Sequence, residues 1–231
     1  MAKTVVIHQP DFVSYLGFFH KLLYADLYVV LDNVQYVSRS WMNRDQIMTQ
    51  TGKKWLTVNI KKASRSTTID KIKLDDTQNW KKQNLNLLKE NYRKSAFFNE
   101  IYPFIEKLYS NKCKYLYEFN MESIYMLIKL FNIHIDIEYS SNLITTKTKS
   151  ERLVEILTQV DATHYLSGIG AKAYHDDTPF DKANIKVIWQ NFQHPTYPQV
   201  QGKGEFIPYL SSIDLLFNCG TEHSRKILRE I

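Results

Sequence analysis

The stretch from residue 4 to residue 32 constrains the fold more than any other. Residues 4–7 form an apolar run that delivers His8 and Gln9, and Pro10 then prevents the chain from continuing as a central strand. After Gly17 comes a helix-period segment to Ala25, and a second apolar run, residues 27–31, ends in Asp32. The order is strand, helix, strand. Two strands joined in this way are parallel neighbours, so His8, Gln9 and Asp32 are expected at one edge of a sheet, where open α/β sheets bind ligands.

Further along, residues 37–50 show no clean period and concentrate Arg39, Trp41, Asn43, Arg44 and Asp45, which reads as a functional loop. Residues 55–60 alternate after the Gly52 turn, and residues 69–74 are expected to pair with them as a second strand. Asp75-Asp76-Thr77 offers an N-cap for a helix over 78–94, and helices over 99–109 and 114–131 follow at helical spacing. Alternation returns over 135–139. A polar linker leads to a helix over 151–158 capped by Ser150, and a strand over 163–166 runs into Ser167-Gly168-Ile169-Gly170. A short helix opens at 171–174, a buried strand occupies 185–189, and Ser212 caps a last helix that stops at Gly220 before another begins at Thr221. A second Gly-x-Gly spacing, Gly202-Lys203-Gly204, lies in a polar loop and follows no strand. The expected class is α/β, a mostly parallel sheet started by the strand-helix-strand unit and carrying a helical insertion. One compact protein is expected, divided into an N-terminal α/β part (1–77), the insertion (78–134) and a C-terminal α/β part completing the core (135–231).

Composition narrows the function classes. With 231 residues, 44% of them hydrophobic, and only 7 Gly and 6 Pro, the chain can bury a sizeable core and is expected to be regular throughout. The net charge of +6 suits a phosphorylated substrate or a nucleotide, yet the lysines fall in short groups without interleaved aromatics, so no stable nucleic-acid partner is expected. No signal segment or membrane anchor is visible, and no membrane insertion is expected; cytoplasmic residence is the expectation. Cys113 and Cys219 form no metal spacing and neighbour no His/Asn constellation, and the seven histidines are scattered, so neither a cysteine nucleophile nor a metal site is expected.

The candidate site follows from chemistry at the expected edge. His8 reads either as a core histidine bonded to backbone or as a ligand-facing group, and Gln9-Pro10 favours the second. Asp32 reads either as a turn cap or as an acid in a ligand loop, the latter supported by Gln35, Arg39, Asn43 and Arg44 after it. Arg39 and Arg44 can fork a phosphate or carboxylate. His8, Asp32 and Arg44 are the catalytic candidates; Gln9, Gln35, Arg39, Asn43, Ser167, Gly168, Tyr197 and Gln199 are the substrate-binding ones. Backbone N–H groups at Ser167-Gly168 are expected to hold an oxyanion. Tyr197-Pro198-Gln199 is expected to line or brace the pocket, and Asp214 to anchor Arg39 or Arg44.

Short words spread along the chain carry a resemblance: His8-Gln9-Pro10, Gly17-Phe18-Phe19, Leu31-Asp32-Asn33-Val34-Gln35-Tyr36, Trp41-Met42-Asn43-Arg44, Tyr165-Leu166-Ser167-Gly168, Tyr197-Pro198-Gln199 and Ser212-Ile213-Asp214-Leu215-Leu216-Phe217-Asn218. Together and in this order they resemble the WbqC-like proteins. The resemblance implies a cytosolic step in surface-glycan biosynthesis, in which an acyl or aminoacyl group, glycyl among the candidates, is transferred to a nucleotide-linked or lipid-linked amino sugar. The chain departs at Val13-Ser14-Tyr15, where relatives commonly carry Pro-Trp, so one pocket wall is expected to be shaped differently. Two donors are open: a preactivated acyl or aminoacyl donor, with His8 or Asp32 as base, or ATP in an adenylate-forming amide ligase, with His8 and Arg44 on phosphoryl charge. A non-catalytic glycan-recognition or assembly protein is the competing class.

Overall fold

The computed structural model describes residues 2–200 and 204–231. Five strands form one parallel sheet: β1 (Thr4–His8), β2 (Leu27–Val30), β5 (Asp136–Tyr139), β6 (His164–Ser167) and β7 (Lys186–Trp189), in the order β5-β2-β1-β6-β7. The fold class is therefore α/β, as the opening unit implied. Helix α1 (Leu16–Leu23) joins β1 to β2. Because successive side chains point to opposite faces, each central strand feeds two cores. Val6, Tyr28, Val30 and Leu166 join one cluster with α1, α2 (Trp80–Tyr92), α3 (Phe98–Ser110), α4 (Leu116–Phe131) and α7 (Ser212–Arg229). Val5, Ile7, Leu27, Val29 and Tyr165 join the other, under α5 (Lys149–Gln159) and α6 (Thr178–Lys182). Residues 78–134 are helical, and their apolar faces merge with the core that α1 and α7 share.

The sheet order reverses at one place. From β1 the chain runs outward through β2 to β5, then returns to lay β6 on the other side of β1 and continues to β7. The β1–β6 register stops at Val5↔Tyr165, so Ile7 and His8 diverge from Leu166 and Ser167 towards the strand ends. A crevice opens between them. This is the topological switch point, where open parallel sheets receive ligands.

Two local expectations need correction. Residues 44–57 form a separate antiparallel hairpin, β3 (Arg44–Thr49) and β4 (Gly52–Thr57), where a loop was expected up to residue 50. A charged residue, Asp45, occupies a buried position of β3 and breaks the apolar alternation that marks a strand. Residues 69–74 do not form a strand: Ile69–Lys71 is a single 3₁₀ turn, its first N–H groups bonded to Val34 O and Asp32 O; of the expected pairing one isolated bridge remains among the described residues, Ile60↔Leu74, while Lys73 bridges Tyr115 instead. The last two helices meet where the sequence puts their boundary: α7 is broken at Gly220, whose φ of +70° and ψ of 175° turn the backbone. Of the second Gly-x-Gly spacing, Gly202 and Lys203 lie outside the described residues.

Candidate active site

A cavity of about 450 Å³ occupies the crevice at the switch point. Its floor is the end of β1. His8 packs its ring on Phe18 at 5.2 Å, and its Nδ1–H donates to Gln9 O at 2.9 Å, which leaves Nε2 as the acceptor nitrogen, with no hydrogen-bond partner among the described residues. Burial, assisted by the Lys21 ammonium, lowers the His8 pKa to about 3, so the imidazole is neutral at physiological pH. Asp11 Oδ2 lies 3.9 Å from His8 Nδ1. Its pKa is raised to about 7 by burial, against an opposing pull from Lys21. The two side chains keep 30% and 15% of their surface, enough to meet a ligand.

The loop that carries Asp11 is tied at several points. Asn120 Nδ2 donates to Pro10 O and Met42 O, Phe12 N donates to Trp41 O, and Ser123 Oγ accepts from Val13 N. Val13 is held at φ +36°, and Tyr209, across the cavity, at φ +61°. A β-branched residue in that region carries strain of about 1–3 kcal/mol, and such strain gathers at functional sites. The other walls are aromatic and polar: Tyr15, Trp41, Phe192 and Tyr209, with Ser14, Asp45 and Gln190 between them. Gly17 permits this wall, because a Cβ there would stand 2.4 Å from the Tyr15 ring. Asp45 is buried and its carboxyl is pushed well above the usual carboxylate range by burial, with Asp11 adding to the shift. Gln190 Nε2 donates to Gly17 O at 2.8 Å and to His20 Nδ1 at 3.0 Å, which fixes the amide and leaves Oε1 as the acceptor it can offer a ligand. His20 thus braces Gln190. Lys21, on α1, is 4% exposed and has no ion pair within 4 Å among the described residues; burial lowers its pKa to about 8, opposed by Asp11.

Of the candidates read from sequence, His8 and Gly168 line this cavity together, as parallel strands ending at one edge require. Gln9 is half-buried beside them and offers its carbonyl to His8, Tyr28 and the Asp11 N–H. Ser167 ends β6 with its hydroxyl on Tyr165 Oη at 3.4 Å. The rest are placed elsewhere. Asp32 accepts from Ser140 Oγ, Ser141 N and Ser141 Oγ, and so caps the 3₁₀ turn after β5. Gln35 donates to Arg65 O, and the exposed Arg39 accepts through its carbonyl from Arg44 Nη2 at 2.7 Å. Arg44 lies flat on Trp55, 4.0 Å from the ring centroid, and Trp55 meets Trp41 at the cavity mouth. Asn43 is buried and donates to Val58 O. Tyr197 and Gln199 both donate to Asp214 Oδ2, while Tyr92 donates to Asp214 Oδ1 at 2.6 Å. Asp214 therefore binds these three groups instead of the arginines expected for it. Neither cysteine lines the cavity, and burial raises the Cys219 thiol to about 11.

Asp11, Lys21 and Gln190 were not singled out as site residues by sequence, whereas Tyr15 was expected in a pocket wall and Asp45 in the functional loop, and both line the cavity. The signal for Asp11 was Pro10, which starts the loop; for Lys21 it was a charge on an otherwise apolar helix, buried residue after buried residue.

A parallel α/β sheet with a switch-point cavity lined by a histidine and two carboxyls, and with a buried lysine beside its Gly168 wall, has the architecture in which open α/β proteins receive small ligands. Comparison with known proteins gives the particular family: residues 9–226 match the WbqC-like protein family, and the chain belongs to it. It is 31% identical over 222 residues to a Mycobacterium tuberculosis protein named "Uncharacterized protein Rv1507c", with 95% of each chain covered. No solved structure matches the chain. Among the described residues, no helix is long and apolar enough to cross a membrane.

Proposed function

We propose that the protein is an acyl or aminoacyl transferase that forms an amide on an amino sugar, with Asp11 as general base and then general acid and His8 as the neutral group that orients the amine. The observation that carries this reading is the His8–Asp11 pair: a histidine kept neutral with one nitrogen engaged, beside a carboxyl whose pKa of about 7 matches the pH of the reaction. The amine nitrogen, hydrogen-bonded to His8 Nε2, attacks the acyl carbon, forming the C–N bond and giving its proton to the Asp11 carboxylate. Collapse of the tetrahedral intermediate breaks the bond to the leaving group, which takes the Asp11 proton. Each step moves one proton between a bound group and a side chain already in the matching state.

The walls suit a sugar. Tyr15, Trp41 and Tyr209 offer apolar faces to the ring, and Ser14, Gln190 and the protonated Asp45 offer donors and acceptors to its hydroxyls. A volume of about 450 Å³ falls within the range of small-molecule sites. A preactivated donor fits better than ATP, because His8 is neutral and Arg44 is committed to Arg39 O and Trp55, so neither supplies cationic charge for an adenylate.

The test is product mass. Purified protein incubated with nucleotide-linked amino sugars and activated glycyl or acyl donors is expected to yield the amide, and His8→Ala to abolish it with the fold retained. Formation of AMP or pyrophosphate from ATP would select the ligase, and sugar binding without turnover under any donor would select a recognition protein.

A further inference from the structure

The wall opposite His8 holds an arrangement that acid–base chemistry does not use. After β6 the backbone N–H groups of Gly168, Ile169 and Gly170 find no acceptor among the described residues; the next N–H, of Ala171, already bonds to Gly168 O. Gly168 and Gly170 line the cavity, and a Cβ on Gly170 would meet nothing within 4 Å, so the backbone lies open to a ligand. Lys21 Nζ stands beside this segment, 3.8 Å from where a Gly168 Cβ would be. Its side chain is buried, and no carboxylate comes within 4 Å of it among the described residues. A desolvated ammonium whose nearest carboxylate interaction, with Asp11, is not a direct ion pair costs stability, and the protein keeps it next to three unused donors.

We infer that Lys21 and the N–H groups of residues 168–170 form a phosphate-binding subsite, which takes the phosphate or diphosphate of the sugar substrate. Three consecutive backbone donors with a full positive charge exceed what one carbonyl oxyanion accepts, whereas a phosphate group presents several oxygens to such a concave array. Occupancy also matters for the chemistry. A dianion arriving beside Asp11 raises its proton affinity, so the substrate's own charge strengthens the base that takes the amine proton. This inference rests on the reading of the cavity as a substrate site, but phosphate binding is measurable without turnover.

The experiment is calorimetric titration of the full chain with inorganic pyrophosphate, a nucleoside diphosphate amino sugar and a water-soluble short-chain polyprenyl diphosphate, with acetate as the control. Saturable pyrophosphate binding is expected, weakened roughly tenfold to a hundredfold in Lys21→Met, whose melting temperature is expected to equal or exceed the parent's. His8→Ala is expected to bind pyrophosphate as the parent does, even if no transferase product is ever found, so the two readings fail separately. Tighter binding of the nucleotide sugar than of pyrophosphate assigns a nucleotide-linked substrate, and tighter binding of the polyprenyl compound assigns a lipid-linked one. Absence of pyrophosphate binding, an affinity in Lys21→Met within twofold of the parent, or a clear drop in the melting temperature of that variant would overturn the inference.

Discussion

Asp11→Asn is the substitution whose outcome follows most directly from the cavity's electrostatics. Asparagine keeps the shape of the side chain and stands for the protonated acid. The Asp11 pKa rises from 3.8 in the unfolded chain to about 7 in the fold, so the folded protein holds the proton more tightly. Stability from this group is therefore present at low pH and is lost as pH climbs from about 4 to about 7. At about 1.4 kcal/mol per unit, the full penalty is on the order of 4 kcal/mol above neutrality, and roughly 2.5 kcal/mol of it accrues between pH 5 and pH 8. The histidine works the other way: its depressed pKa removes stability as pH falls from 6.5 towards 3. The parent's own pH profile mixes the two. Urea unfolding of both proteins at pH 5, 6, 7 and 8 separates them, because the His8 contribution is common to both and drops out of the difference. The variant is expected to gain on the parent by about 2.5 kcal/mol from pH 5 to pH 8, levelling off above neutrality, while turnover falls about a hundredfold or more. A stability difference that stays flat with pH, or that shrinks as pH rises, would falsify the assignment of a raised pKa to Asp11.

The remaining predictions separate cavity from scaffold. Asp32→Ala leaves the Ser141 N–H and Oγ without their acceptor, while Ser140 Oγ keeps Asn33 Oδ1; it is expected to cost about 1–3 kcal/mol in urea unfolding while turnover per folded molecule stays at the parent's value. Gly17→Ala puts a methyl where the Tyr15 ring lies, so substrate affinity is expected to fall about tenfold or more with little change in melting temperature, since alanine suits a helix better than glycine does. Gly220→Ala meets both a positive φ and the Phe97 ring at 2.4 Å. A loss of about 1–3 kcal/mol is expected, read as an earlier midpoint in urea with the turnover of the folded fraction unchanged.

The centre of the sheet was legible because β1 and β2 are buried on both faces and read as apolar runs, as central parallel strands require. The site was legible where it coincides with that sheet: His8 and Gly168 end neighbouring strands, so topology alone brings them together. It was illegible where the evidence is a missing partner. Arg39, Arg44 and Gln35 looked like ligand-binding groups as a local cluster of polar chemistry, yet Gln35 and Arg44 each meet a carbonyl or a ring nearby, and the exposed Arg39 supplies its carbonyl to Arg44. Asp45 hid a strand because its polarity contradicts the pattern of the face it occupies. Lys21 looked like an ordinary helical lysine, and its burial without a carboxylate within 4 Å among the described residues distinguishes it. Tyr197, Gln199 and Asp214 form one hydrogen-bonded unit whose members stand up to 17 residues apart, so their mutual satisfaction could not be counted from the sequence.

The Asp11 loop ends in a junction with the far end of the chain. Ser211 Oγ donates to Val13 O, Ser212 N donates to Ser14 O and Ser211 N donates to Gln46 O, with Tyr15 and Ser211 paired as a bridge. The wall that fixes Val13, Ser14 and Tyr15 is therefore completed by residues about two hundred positions later. Contacts of such long sequence separation form late in folding. On the ribosome, a chain that has already made its first strand-helix-strand unit still lacks a finished cavity until the segment around residue 211 has emerged and docked. The chemistry of the site is thus withheld from nascent chains, and a ribosome that stalls earlier releases a product with the sheet's first strands but no formed cavity wall.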